Sequence, residues 1–441
     1  MKRKTKVFWV SIISMAVLLA GIGGVSVSAA EKVTLRYADT PYGGPITEQQ
    51  EEYLRKFMEK YPNIEVKVER ADWGRFEEKL RIQAAADNLP DVFYLCGPWV
   101  RAWVQQGWLI DLTPLVQRDA ELVEMDDFFP IALEPYQWKG GLYGLPMDMG
   151  PEGIHGYNLD LFDEAGLSHP TKDWTLEGDF FAAVDKLSRD LDGDGENDQW
   201  GWCGSDKGLR GGWSLERGYL MPFGGRVVND DETECLLTMP ESIKGIKWWM
   251  DLILKYNYSP TPAQAGGFPE AAHWNMFGVG KLGMVETASW TAPELAQFSG
   301  LKWDAMHAPK GPAGRFSATM GSCYSIPKTT KHPEEAWTFL RDWTSREGLT
   351  FIWALSGSGS VARKSGWLAW EETVQVPKNL HIFYEVMEEY AAVGGPLSPA
   401  ATEVETIINR EFDLILLGKK TVEEAVETIK KETDPLLAGA K

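Results

Sequence analysis

Three short segments combine an aromatic ring with turn-forming residues, and two of them add a carboxylate: Asp39 to Tyr42, Asp72 with Trp73, and Cys96 to Trp99. Rings offer a flat apolar face and carboxylates accept hydrogen bonds, so the chemistry implied is capture of a ligand. Tyr42 and Trp73 sit beside Gly43, Gly44 and Gly74, where duty in a core is a weak explanation. Trp103 is expected to face a core, whereas Trp99 stands at a helix start. A second cluster lies in RDLDGDGENDQWG, from Arg189 to Gly201. Asp190, Asp192, Asp194, Glu196 and Asp198 fit the first half of a calcium loop, with Gly195 at its turn. Counting Asp190 as position one, position twelve is Gly201, where such a loop needs a bidentate Glu. A structural calcium with a different last ligand and a metal-free loop of Asx turns both stay open. Either way the segment reads as a clip remote from ligand capture.

The elements that would position the first three segments follow from periodicity. Val33 to Tyr37 reads as a strand, and Ile46 to Lys60 as a helix with Leu54, Phe57, Met58 and Tyr61 on one face before Pro62 stops it. Ile64, Val66 and Val68 alternate as a second strand. Arg75 to Ala86 carries Phe76, Leu80 and Ala84 on one helical face, Asp91 to Leu95 is a third strand, and a helix from Pro98 to Gln106 closes at Gly107. Strand and helix in alternation imply right-handed crossovers and a mainly parallel sheet flanked by helices, an α/β architecture. The three segments then fall at strand C-terminal ends, where open parallel sheets bind ligands. Farther along, helices are expected from Ser242 to Lys255, with Ile243, Ile246, Met250 and Leu254 in phase, and from Pro333 to Arg346, with Ala336, Phe339, Leu340 and Trp343 in phase. Thr421 and Glu424 match a capping box. The run GGLYGLPMDMG, Gly140 to Gly150, is a natural place for one lobe to pass into another.

Composition sets the class. The 441 residues, 44% hydrophobic and 24% charged, are ample for two or three globular domains. The 64 acidic residues against 44 basic ones give a formal charge of −20, which repels phosphate backbones and excludes nucleic acid as an expected partner. The 20 Trp exceed what a core needs and point again to surfaces reserved for a ligand. Lys2, Arg3, Lys4 and Lys6, the apolar run Val7 to Ala20 and the small residues Ser26 to Ala30 read as a signal peptide, residues 1–30, cleaved near Ala30. Its removal takes four positive charges and no negative ones, leaving −24 on an exported, soluble, periplasmic or extracytoplasmic chain. Cys96, Cys203, Cys235 and Cys323 leave two alternatives, a bridge tested first between Cys203 and Cys235, or four buried thiols. No nucleophile elbow, Walker loop or H-E-x-x-H motif occurs, and no cofactor is required. A secreted glycosidase needs no such signature, so it stands as the rival reading, with a free lectin-like module beside it.

In this order and spacing, NLPDVFYL (Asn88 to Leu95), QQGWLIDLTPL (Gln105 to Leu115), GLYGLPMDM (Gly141 to Met149) and YNLDLFDEAGL (Tyr157 to Leu167) form a specific set. GKLGMVETASW (Gly280 to Trp290), APKGPAGR (Ala308 to Arg315), YSIPK (Tyr324 to Lys328) and HPEEAWTFLRDWTS (His332 to Ser345) complete it. The mature chain resembles the extracellular solute-binding proteins of bacterial ABC importers, in the sugar-binding branch that includes maltose-binding protein. The resemblance implies two α/β lobes joined by hinge crossings, residues 31–150 with 322–372 and residues 151–321 with 373–441. It implies a carbohydrate, expected to be an oligosaccharide, held between the lobes of a non-enzymatic monomer that delivers it to a membrane permease. Matched position by position, it implies ligand contacts from Asp39, Tyr42, Asp72, Trp73, Trp99 and Asp148, and from Trp213, Trp274, Trp290 and Tyr324. Trp174 is followed by Thr175 and Leu176 where the family commonly places an acid, which leaves that helix start open.

Overall fold

The computed structural model describes residues 32–42, 44–204, 215–266 and 272–440, so the leader assigned to residues 1–30 and the candidate Trp213 lie outside the described residues. Strand β1 (Val33–Asp39), helix α1 (Gly44–Lys60), strand β2 (Ile64–Arg70), helix α2 (Trp73–Ala85), strand β3 (Val92–Cys96) and helix α3 (Gly97–Gln105) follow the periodicities closely. Helix α2 buries Phe76, Leu80 and Ala84, the expected stripe. Trp103 is fully buried beneath β3, and removing a side chain of that size from water is worth roughly 3 kcal/mol.

Two strands leave the first sheet and continue straight into a second one. Strand β4 (Leu145–Pro146) runs on into β5 (Gly150–Asn158), and after β6 (Trp200–Cys203), helix α4 (Pro240–Leu254), β7 (Leu282–Ala288) and β8 (Trp303–Met306), strand β9 (Ser317–Met320) returns through Gly321 into β10 (Ser322–Ser325). The first sheet has the order β2-β1-β3-β10-β4. The second has the order β11-β9-β5-β7-β6, with β8 paired to β5 and β11 formed by Ala391–Val393. Neither sheet is mainly parallel. Pairs β1–β2 and β1–β3 are parallel, but β10 is antiparallel to both β3 and β4, and β5 is antiparallel to β7, β8 and β9. The reason is the crossing itself: β4–β5 carries the chain out and β9–β10 brings it back, so the two ribbons must run in opposite directions.

Helices α5 (Pro333–Trp343), α6 (Lys364–Thr373) and α7 (His381–Glu389) extend the core around Trp343, Trp367, Trp370 and Phe383 as far as Val285 and Trp303. A separate core joins the second sheet to α4, α8 (Ala401–Leu416) and α9 (Val422–Gly439). Helix α4 is rotated from its expected phase, because Leu254 is exposed while Ile246, Trp249, Met250 and Ile253 are buried. The Trp249 indole N–H donates to the Tyr219 carbonyl at 3.1 Å, and burying that bulky ring decides which face turns inward. The capping box forms as expected, with Thr421 Oγ1 accepting from Glu424 N at 3.2 Å and Glu424 returning an acceptor to Thr421 N at 2.9 Å. After Trp174 the helix start is made by Asp179, whose carboxylate accepts from Thr175 N at 3.0 Å. All four cysteines are buried and none is in a disulfide, so no Cys203–Cys235 bridge forms: Cys203 ends β6 in one core while Cys235 packs in the other.

Candidate ligand-binding site

Where β1 ends, Asp39 is fully buried and saturated with donors. Its Oδ2 accepts from Tyr37 Oη, from Tyr324 Oη at 2.9 Å and from Gln50 Nε2 at 3.1 Å, and its Oδ1 from Thr40 N at 2.8 Å. Burial raises its carboxyl to about 6 against the pull of those hydrogen bonds. Tyr324 is buried as completely, so this pair forms a polar nest beneath the surface. Tyr42 is half-buried and packs edge-on against Trp353 at 4.9 Å.

The next two segments meet. Trp73 opens α2, 53% exposed, with its ring 6.1 Å from that of Trp99 at the start of α3. The Trp73 indole N–H donates to Tyr94 Oη at 3.4 Å, and Tyr94 Oη accepts from Ser322 Oγ at 2.8 Å. Asp72 caps α2 by position only, exposed and with no side-chain bond to the helix.

On the second sheet, Trp274 and Trp290 form another pair, 4.7 Å apart and nearly perpendicular. The Trp274 indole donates to the Glu286 carbonyl of β7 at 3.1 Å, and Trp290 follows Ser289, whose hydroxyl lies 2.6 Å from that of Ser360. Asp148 stands in the outgoing crossing, half-buried, with Oδ1 accepting from Ser322 N at 2.5 Å. The structure places Asp39 and Tyr324 in a buried nest, Trp73 with Trp99 and Trp274 with Trp290 in two aromatic pairs and Asp148 in the crossing, while Asp72 and Tyr42 join none of these groups. Tyr37, Gln50, Tyr94 and Ser322 were missed. Tyr37 and Tyr94 sit within apolar strands, and alternation there signals only a core; Ser322 becomes informative only once β10 lies beside β3.

The Asp190 loop is less complete than its sequence suggests. Carboxylate oxygens of Asp190, Asp192 and Asp194 gather within 4.8 Å of one another, but Glu196 and Asp198 stay outside that group. Asp198 turns its Oδ2 to Leu191 N at 2.9 Å instead, and Asp190 accepts from Gly193 N at 2.6 Å and Gly195 N at 2.8 Å. Asx-turn bonds complete the loop, from Asp194 N to Asp192 Oδ1 at 3.1 Å and from Glu196 N to Asp194 Oδ1 at 2.8 Å, so its own backbone holds it.

The family model described as bacterial extracellular solute-binding protein matches residues 52–374. This chain belongs to that family. Among relatives of these solute-binding proteins, a putative binding protein of Brucella abortus is 26% identical over 340 residues, 75% of this chain and 78% of that one. The maltotriose-binding protein of Pyrococcus abyssi is 21% identical over 207 residues, 46% of this chain and 39% of that one. Among solved structures, an ABC substrate-binding protein of Listeria monocytogenes in complex with cycloalternan superposes with a TM-score of 0.80 at 22% identity, covering 93% of this chain and all of that one. Maltose-bound MalE3 of T. maritima gives 0.74 at 21% identity, with 91% and 99% covered. The two-sheet fold with strands crossing between the sheets is thus the fold of these binding proteins.

Proposed function

We propose that this solute-binding protein is the exported receptor of an ABC importer and that its solute is a carbohydrate, an oligosaccharide rather than a single sugar. One observation carries the reading: aromatic pairs stand beside both sheets, Trp73 with Trp99 and Trp274 with Trp290, and hydrogen bonds tie the first to a crossing strand and the neighbour of the second to the loop around Ser360. Ser322 links to Trp73 through Tyr94, and Ser360 links to Ser289 beside Trp290. Exposed indole faces suit the C–H faces of pyranoses, and two separated pairs suit several rings. Residues 31–150 with 322–372 serve as one lobe, residues 151–321 with 373–441 as the other, and closure follows from the extra contacts a ligand makes when it touches both. The cycloalternan and maltose named for the solved structures, and the maltotriose named for the Pyrococcus relative, support this class of solute.

The test is thermal shift and Trp emission of the chain lacking residues 1–30 against mono- and oligosaccharides, with product analysis of each mixture. A sugar bound only by the native state raises Tm. The reading expects an oligosaccharide that shifts Tm, changes emission and is recovered intact. Cleavage of the sugar would establish the glycosidase instead. A broad panel without any shift would remove carbohydrate as the solute class.

A further inference from the structure

Three stretches of chain meet at Asp148. The outgoing strand holds Met147 N to Ser322 O at 2.9 Å, and the Asp148 carboxylate takes Ser322 N at 2.5 Å, so both backbone groups of Ser322 are bound by neighbouring residues of the other ribbon. Gly321 fits only because it lacks a side chain: a Cβ there would lie 2.0 Å from the Asp148 carbonyl oxygen. A third stretch, Ser358 to Ala362, closes the other side. Met149 N donates to Ser360 O at 2.8 Å, Ala362 N to Met147 O at 3.4 Å, and Asp148 pairs with Val361. From this knot one chain of bonds leads outward: Asp148 to Ser322, Ser322 Oγ to Tyr94 Oη, Trp73 Nε1 to the same Tyr94 Oη.

We infer that Asp148 is a positioning residue that couples the hinge to the ligand surface: its carboxylate holds Ser322, and through Ser322 and Tyr94 it sets the orientation of the Trp73 indole. Protonation of Asp148 then shifts the hinge and the Trp73 platform together. This rests on the two-lobed receptor reading only in supposing that Trp73 meets a ligand; the coupling itself needs none. The geometry makes the half-buried carboxylate responsive, because among the described residues no cation figures in the interactions that act on it. The groups facing it are Asp39 of β1, Tyr42, Tyr94 of β3, Tyr136 and Cys323 of β10. Burial pushes Asp148 up to about 7, and the charge of Asp39 adds to the rise. Burial also pushes the tyrosines and Cys323 up, away from neutrality, which leaves Asp39, near 6, as the other titrating group.

The experiment uses the chain lacking residues 1–30, labelled with 5-fluorotryptophan and free of ligand, with the Trp73 resonance assigned by Trp73→Phe. Fluorine NMR from pH 5 to pH 8.5 should show that resonance titrating with a midpoint near 7. Asp148→Asn, which keeps an acceptor but cannot change charge, should flatten the curve. Ser322→Ala should do the same by cutting the relay, and Asp148→Glu should restore a titration. Circular dichroism checks that each variant is folded, and Asp39→Asn separates the second carboxylate. A Trp73 resonance that ignores pH, or one that titrates equally in Asp148→Asn, overturns the coupling. Failure of the carbohydrate panel alone would leave this result standing, so the two readings fail separately.

Discussion

The two aromatic pairs differ in what holds their indoles. On the second sheet Trp274 is tied to a backbone carbonyl, that of Glu286 in the middle of the second sheet. On the first sheet Trp73 is tied to a side-chain hydroxyl, Tyr94, which is tied in turn to a crossing residue. A backbone acceptor in a paired strand moves only if the sheet moves, whereas a tyrosine hydroxyl follows its donors. The second pair is thus a fixed platform and the first an adjustable one, with the hinge built into its support. The polar nest of the first sheet has the same character: Asp39 accepts from residues of β1, α1 and β10, so it too joins chain from before and after the crossings.

The contrast can be broken most severely at the crossing. Gly321→Ala drives a Cβ into the Asp148 carbonyl, and because backbone cannot yield as a side chain does, it should lower stability by about 3 kcal/mol or more in urea titration. The platforms themselves come next. Trp73→Ala should weaken the best sugar by about 2 kcal/mol, roughly 30-fold by calorimetry, while leaving Tm nearly unchanged because the ring is 53% exposed. Trp290→Ala should match it in affinity, and a variant pair in which only one platform matters would sink the two-sided site.

Charge gives a third handle. Asp39 and Asp148 have carboxyls raised in the folded chain, to about 6 and about 7, so the native state holds more protons than the unfolded one between about pH 4 and pH 7. Stability must therefore fall as pH rises through that window, by about 2 kcal/mol between pH 5 and pH 8 once water at half-buried Asp148 is allowed for. His307 works in the opposite sense, since burial lowers its pKa and stability there is lost as pH falls below 6.5. Urea titrations at several pH values should show the net decline, and Asp148→Asn should remove its upper part. The smallest change expected is at the far side of the second lobe: Thr421→Ala breaks the capping box of α9, costing about 1 kcal/mol of stability with sugar affinity untouched.

Much of this molecule is legible from local pattern. The first three strands and helices, the stripe of Phe76, Leu80 and Ala84, and the box at Thr421 depend on residues within a turn or two of each other, so periodicity and capping chemistry suffice. The adjacency of rings, acids and glycines in Asp39 to Tyr42 and around Trp73 marked these loops as candidates for the same reason. The rotation of α4 was not legible, because the bond that chooses its buried face comes from Tyr219 on another segment. Nor was the mixed sheet, since strand direction is set by where a chain re-enters, not by its composition.

By itself, then, the amino-acid sequence determined the class of the fold, its elements, the family and the kinds of side chain offered to a ligand, all of which are local or ordered along the chain. Only the tertiary structure decided that Asp39 is a sealed nest rather than an open ligand contact, that the cysteines stay apart, and that Ser322 and Tyr94 join Asp148 to Trp73. Those outcomes depend on residues more than 200 positions apart being brought within hydrogen-bond reach, as Ser322 is to Tyr94. No periodicity encodes such a meeting; it exists only once the returning strand has paired with β3.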